Sequence, residues 1–299
     1  MPAGLGHVSP MQALWMVVAS FLFACMGVCV KLAADSFSTA EIVFYRNAIS
    51  LLLIAALVGV RRVPLRTPHW RFQLWRGASG FVSLCFYFYG ISLLPLATAV
   101  TLAYTAPLFL ALYLAAFGKA RLNVGIVAAL GVGFAGVALL LRPNLDGAQW
   151  LGITVSLVSG MLAGIAYFNV RELGERGEPE ERTVFYFSLG TTLVGLVGTL
   201  VFGGFTPLHW QTAWLLPATG ILASLGQLCL TRAYTRGSTL VVATLQYLGL
   251  VYASLFSILL FKEHLHPWAW WGMGIIVLSG VAATWLRQHG SGAAAHRTS

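Results

Sequence analysis

Apolar stretches of about twenty residues follow one another along nearly the whole chain, broken only by short clusters of charge, glycine and proline. A bilayer core of about 30 Å takes about 20 helical residues to cross. Backbone groups facing lipid must be satisfied within their own segment, so a chain of this pattern folds as a bundle of spanning helices. Hydrophobic residues make up 58% of the 299 and charged residues 9%, against roughly 25% charge in a soluble globular chain, and no soluble domain of useful size remains. The expected fold is all-α: a polytopic membrane protein with ten transmembrane helices, near 11–33, 40–60, 73–94, 97–117, 124–141, 149–170, 184–203, 212–235, 239–261 and 268–287. At Leu94-Pro95-Leu96 only a proline divides two spans.

Lysine and arginine set the direction of the spans, because positive residues are retained on the cytoplasmic side. One set of alternate loops and span ends holds Arg61, Arg62, Arg66, Arg71, Arg76, Lys119, Arg121, Arg171, Arg176, Arg182, Arg232, Arg236, Arg287 and Arg297; the other holds Lys31, Arg142 and Lys262. Fourteen against three places both termini in the cytoplasm. The same bias explains most of the net charge of +9 and removes nucleic acid as a partner. Arginines interleaved with Trp70, Phe72 and Trp75 read as a topology anchor at the headgroups. Met1 to Pro10 lacks a basic region and cleavage site, so the first run is expected to stay as a span. Cys25, Cys29, Cys85 and Cys229 lie in apolar runs and read as buried small residues, and Gly290 to Ser299 reads as a disordered tail.

The tetrapeptide Thr101-Leu102-Ala103-Tyr104 returns as Thr244-Leu245-Gln246-Tyr247, each followed by a charged break and then Gly-Val-Ala, at 136–138 and 280–282. The copies fall on the fourth and ninth expected spans. An odd number of steps separates them, so they run in opposite directions through the membrane, as in carriers whose site opens to either side. The chain divides accordingly into a first five-helix repeat over 1–145, a second, inverted repeat over 146–289, and the tail 290–299.

Three segments together resemble the drug/metabolite transporter superfamily in its ten-helix EamA-type branch. Glu41-Ile42-Val43-Phe44-Tyr45-Arg46 opens the second span with the family's acidic, aromatic and arginine pattern. Residues 94–107 and 118–122, with a glycine-rich fifth span, resemble its first repeat; Tyr247 to Leu265 and Gly272 to Gly280 resemble the second, with Glu263 at the family's end-of-helix glutamate. The first repeat has Ala120 at the matching place, which confines any role of that acid to one half. Within the branch the chain is similar to bacterial exporters of aromatic amino acids. The resemblance implies a multi-pass protein of the bacterial inner membrane that moves a small molecule, without cofactor; the oligomeric state stays open, a monomer included.

Polar residues at helical spacing mark candidate cavity walls. Gly220, Ser224, Gln227, Thr231 and Tyr234 draw one stripe along the eighth span, where Gln227 is too large for close packing alone. The stripe Ser188, Thr192, Gly195 and Thr199 and the pair Gly160 and Gly164 read better as helix packing. Ser83 lies on a stripe of the third span. Tyr104, Gln246 and Tyr247 follow from the duplicated tetrapeptide, and Phe86, Tyr87 and Tyr167 offer aromatic walls for an apolar side chain or an ammonium group. Arg46 lies about two turns into its span and either attracts a carboxylate or pairs with Glu41 or Asp35, the pairing being preferred. Glu41 and Glu263 complete the gating and charge candidates. Pro107 and Pro217 are expected kinks, and the charged loop from Glu172 to Arg182 reads as a solvated connector.

The expected function is a secondary transporter exporting amino acids, aromatic and other apolar ones favoured, by alternating access. The chain carries no phosphate-binding loop of the GxxxxGK[ST] form that would let ATP power it. Its nine acidic residues all fall in loops or near span ends, which favours facilitated diffusion over proton coupling. A broad drug and metabolite efflux carrier is the alternative. A channel ranks lower, as does an intramembrane lipid-modifying enzyme, which would need a catalytic cluster inside the spans.

Overall fold

Each apolar stretch closes its own backbone hydrogen bonds as a helix, and no strand occurs among the described residues. A computed structural model describes residues 10–94, 96–117, 124–141, 150–201, 203–262 and 267–295; Pro95, Ala120 and Glu263 lie outside them. The helices are α1 (Pro10–Ala33), α2 (Thr39–Val60), α3 (Trp70–Leu93), α4 (Leu96–Ala103), α5 (Ala106–Ala116), α6 (Val124–Leu141), α7 (Trp150–Glu175), α8 (Glu180–Val201), α9 (Trp210–Ala213), α10 (Leu215–Arg236), α11 (Thr239–Leu245), α12 (Leu248–Phe261) and α13 (Pro267–Ala295). Among the described residues seven stretches are long and apolar enough to cross a membrane, and Val124–Leu140 and Pro267–Ala283 are shorter apolar helices. The outside is what a lipid-facing surface requires: Leu52, Leu112, Leu200, Leu259 and Leu278 are exposed along the helix flanks. Exposed Trp70, Trp150, Trp210, Trp268 and Trp271 gather at helix starts, where an indole ring meets apolar tails and headgroups together.

Helix ends follow local chemistry. Ser38 and Glu41 form a capping box on α2, with the Glu41 carboxylate accepting the Ser38 N–H at 2.9 Å. That satisfies orphan donors of the first turn. The same carboxylate accepts the hydroxyl of Thr206 at 2.9 Å and its backbone N–H, fastening α2 to the segment before α9. Lys262 closes α12 in the left-handed conformation, φ 52°.

Two helices break at matching places. The first copy of the tetrapeptide ends α4 at Ala103, and α5 starts at Ala106; the second ends α11 at Leu245, and α12 starts at Leu248. Across both breaks the hydrogen bonds tighten to three-residue spacing: Thr105 N–H to Leu102 C=O at 3.1 Å, and Tyr247 N–H to Thr244 C=O at 3.2 Å. Pro107 explains the first, since it has no N–H to offer the carbonyl of Ala103. The second has no proline. Pro217, expected as a kink, sits in the first turn of α10, where a missing N–H takes nothing from the helical ladder.

The most extensive pairings join helices from before residue 142 to helices after 150: α3 with α7, α6 with α13, α1 with α10, and α2 with α8. Small residues permit this. A Cβ on Gly164 would come within 3.1 Å of the Ala106 carbonyl, and one on Gly160 within 2.9 Å of the Leu102 carbonyl, so α7 lies against the α4–α5 break through those glycines. Ser50 and Ser188 share a hydrogen bond at 3.2 Å between α2 and α8. The main core gathers Met16, Leu110, Leu130, Tyr234, Val242, Tyr247 and Ile276.

Three further expectations change. The loop Glu172 to Arg182 is not a solvated connector: Glu172, Glu178, Glu181 and Arg182 are buried, because polar groups from residues 61–73 and the connector's own arginines satisfy them. None of the four cysteines is buried; all are free, with Cys85 exposed. Helix α13 runs on to Ala295, into the segment expected as tail.

Candidate functional site

A cavity of about 380 Å³ lies beside the two helix breaks. Ala103, Tyr104 and Ala106 reach it from the first break, Gln246 and Gly249 from the second, and α1, α2, α3, α7, α8 and α10 complete the wall. Of the expected candidates, Ser83, Tyr87, Tyr104, Tyr167, Gln227, Gln246 and Arg46 line it.

A fixed polar network holds one side. Gln246 donates from Nε2 to the Tyr167 hydroxyl at 2.9 Å and accepts on Oε1 from the Tyr234 hydroxyl at 2.8 Å. The rings of Tyr167 and Tyr234 stack with centroids 5.0 Å apart and planes 11° from parallel. One glutamine thereby ties α11 to α7 and α10. Because the Tyr167 oxygen already accepts, its own proton is left to donate. Gln227 makes no hydrogen bond among the described residues, so its amide is available to a solute. Ser83 sits on the wall, but its hydroxyl donates across to the Ser159 carbonyl at 2.8 Å while Ser159 donates back to the Ser83 carbonyl at 2.8 Å. That reciprocal clasp of α3 and α7 engages the hydroxyl in packing.

Phe86, Ser224, Thr231 and Tyr247 lie outside the lining. Ser224 donates to the Gly220 carbonyl of its own helix at 2.6 Å, and Thr231 is fully buried. Tyr247 turns away into the core, over Gly133 of α6 and beside Ser279 of α13, its ring 6.1 Å from that of Tyr104. The duplicated tyrosines therefore differ in surroundings: one faces the cavity and one supports it. Glu41 is engaged in its capping box and with Thr206, as described above.

Two guanidinium groups enter the lining. Arg46 was expected to pair with Glu41 or Asp35; it makes no ion pair among the described residues, since Ser38 and Thr206 occupy Glu41. Arg76, read as a headgroup anchor, is 4% exposed and points inward, its guanidinium 4.1 Å from the Phe187 ring centroid. The sequence reading missed Arg76 and Phe187 as wall residues. Arg76 lies one helical turn beyond Gln73, on the side of α3 that meets α7 and α8, a placement set by helix rotation and not by residue type.

At the arginine-rich end a polar latch joins residues 61–73 to Glu178 and the start of α8. Arg61 pairs with Glu181, and Thr67 and Gln73 both donate to Glu178. Arg182 donates to Glu178 at 2.8 Å and to the Pro64 carbonyl at 2.7 Å, and Tyr186 donates to the Leu65 carbonyl at 2.9 Å.

Comparison with known proteins agrees in kind. Residues 10–142 and 150–285 each match the EamA-like transporter family. The pseudopaline exporter of Pseudomonas aeruginosa is 35% identical over 237 residues, covering 79% of this chain and 82% of the exporter. An uncharacterized transporter of Helicobacter pylori is 28% identical over 274 residues, 89% of this chain and 91% of that one. A riboflavin transporter of Rhizobium johnstonii is 28% identical over 272 residues, 89% and 88%. A solved crystal structure superposes with a TM-score of 0.80 over 92% of this chain and 98% of the other at 20% identity, which establishes a shared fold.

Proposed function

The chain belongs to the EamA-like transporter family and is a multi-pass membrane transporter, not an enzyme, and from that premise we propose that it exports amino acids or closely similar small metabolites, aromatic and other apolar ones favoured. The observation that carries this reading is the cavity at the junction of the two interrupted helices. Its volume falls in the ordinary range for small-molecule sites of about 300–1,000 Å³. Arg46 supplies a cation for a carboxylate, Gln227 and Tyr167 supply hydrogen bonds, and Tyr87 and Tyr104 supply aromatic walls.

The transport step is alternating access of two inverted repeats, over 1–145 and 146–289. Ten spans follow if α3, 24 residues long, joins the seven long stretches and the two shorter helices. The matching breaks in α4–α5 and α11–α12, and the pairing of α1 with α10 and α3 with α7 across the middle of the chain, support the inversion. The arginine distribution supports cytoplasmic termini in the bacterial inner membrane. On that orientation the latch at Glu178 and Glu181 seals the cytoplasmic end. Export runs down a gradient of solute, a reading supported by the lack of an acid among the described residues of the cavity lining.

A broader metabolite carrier is the second reading, favoured by relatives named for cargoes as different as pseudopaline and riboflavin. Purified protein in proteoliposomes, offered phenylalanine, leucine and a panel of larger metabolites with and without a proton gradient, separates the two. Saturable, trans-stimulated amino-acid flux is expected. Flux of the larger metabolites with none of amino acids would establish the second reading instead.

A further inference from the structure

The described carboxylates are almost all engaged elsewhere: Glu41 by Ser38 and Thr206, Glu172 by Arg176, Glu175 by Arg171, Glu178 by Arg182, Glu180 by Arg236 and Glu181 by Arg61. Asp35 lies in the turn between α1 and α2, away from the cavity lining. Among the described residues the cavity lining contains Arg46 and Arg76 and no aspartate or glutamate. Both arginines keep a buried Nε–H with no hydrogen-bond partner. An unpaired charge taken out of water is expensive, and a protein keeps one where something else completes it. Arg76 is buried and Arg46 half-buried, and both line one cavity.

They stand on different helices. Arg46 lies 14 residues before the end of α2, and Arg76 six residues after the start of α3. The Arg76 side chain reaches the level of Gly80, about 6 Å further along α3 at 1.5 Å per residue, so its guanidinium enters the cavity deeper than its Cα. Two guanidinium groups on different helices, each with an unpartnered Nε–H, suit two anionic groups on one solute. Arg76 is also seated: its Nη1 lies 2.5 Å from where a Cβ on Gly80 would stand, so the glycine one turn on leaves space for the guanidinium. Phe187 covers its face. The wall they share also carries Tyr87, Tyr104 and Tyr167.

We infer that the cavity selects solutes bearing two carboxylates on an apolar or aromatic frame, one carboxylate on Arg46 and the other on Arg76. The inference rests on the export reading above and narrows it from amino acids in general to dicarboxylic amino-acid derivatives. A simple zwitterionic amino acid satisfies one arginine and leaves the other unmatched.

The test uses the full-length protein in nanodiscs and two probes of equal shape, N-glutaryl-L-phenylalanine and the same molecule with its glutaryl carboxylate replaced by an amide. Binding is read by isothermal titration, and transport by flux in proteoliposomes. The dicarboxylate is expected to bind at least about tenfold tighter, the scale of a charge-assisted hydrogen bond to a carboxylate. Arg46→Gln and Arg76→Gln should each bring the ratio close to one, while Arg46→Lys and Arg76→Lys, which keep the charge and guard against a folding defect, should retain part of it. Equal affinity for the two probes in the unaltered protein overturns the inference, as does a preference that survives both Gln substitutions. Saturable phenylalanine export alongside equal probe affinities would leave the export reading standing without the inference. No flux of phenylalanine or of either probe would remove both.

Discussion

Gln246 uses both ends of its amide, which makes it a different kind of cavity residue from Gln227. Replacing Gln246 with leucine strands the hydroxyls of Tyr167 and Tyr234. Each buried group left unpaired costs about 1–3 kcal/mol, so Gln246→Leu is expected to lower the melting temperature in detergent and to lower flux. Gln227→Leu strands nothing among the described residues. It should lower amino-acid flux in liposomes with an unchanged melting temperature, and unchanged flux would remove Gln227 from the site. Both glutamines were legible in the sequence, because an amide in an apolar span needs a reason. Their division of labour was not, since it depends on which tyrosines the neighbouring helices bring within 3 Å. Ser83 shows the same limit: helical spacing put it on the cavity side, and only its partner Ser159 reveals that its hydroxyl holds α3 to α7.

At the scale of elements, the break in α4–α5 depends on how closely α7 approaches it. Gly164→Leu would drive a side chain into the Ala106 carbonyl and Phe109. Overpacking of this kind typically destabilises by about 1–3 kcal/mol, and a lower melting temperature or loss of monodisperse protein is the expected outcome. The latch is the other element-scale device. Glu178→Ala removes the acceptor that Thr67, Gln73 and Arg182 share, so faster amide hydrogen exchange over 61–69 and 174–183 is expected. Exchange there that matches the unaltered protein would mean the latch carries little of the closure. Sequence reading placed these helices within a few residues, because apolar length and charge clusters mark span ends directly. It misread the connector as solvated, because burial of Glu178 and Glu181 is decided by residues more than a hundred positions away.

For the whole molecule, the orientation prediction is a direct one: a reporter active only in the periplasm, fused after Arg287, should give no signal, and activity there would reverse the topology. The membrane-spanning all-helical class, the transporter family and the kink at Pro107 were determined by the sequence alone; the matching break after Leu245, where no proline stands, was not. Those properties rest on local facts: how long a run stays apolar, where proline removes a donor, and which short patterns recur. Which stripes face the cavity was decided by tertiary structure. So was the fate of the repeated tyrosines, Tyr104 on the wall and Tyr247 in the core. In a bilayer every face of a helix can be apolar, so periodicity does not say which side meets lipid, a neighbour or the solute. Helix rotation against distant partners makes that choice, and it brought Arg76 from an expected headgroup anchor into the same cavity as Arg46.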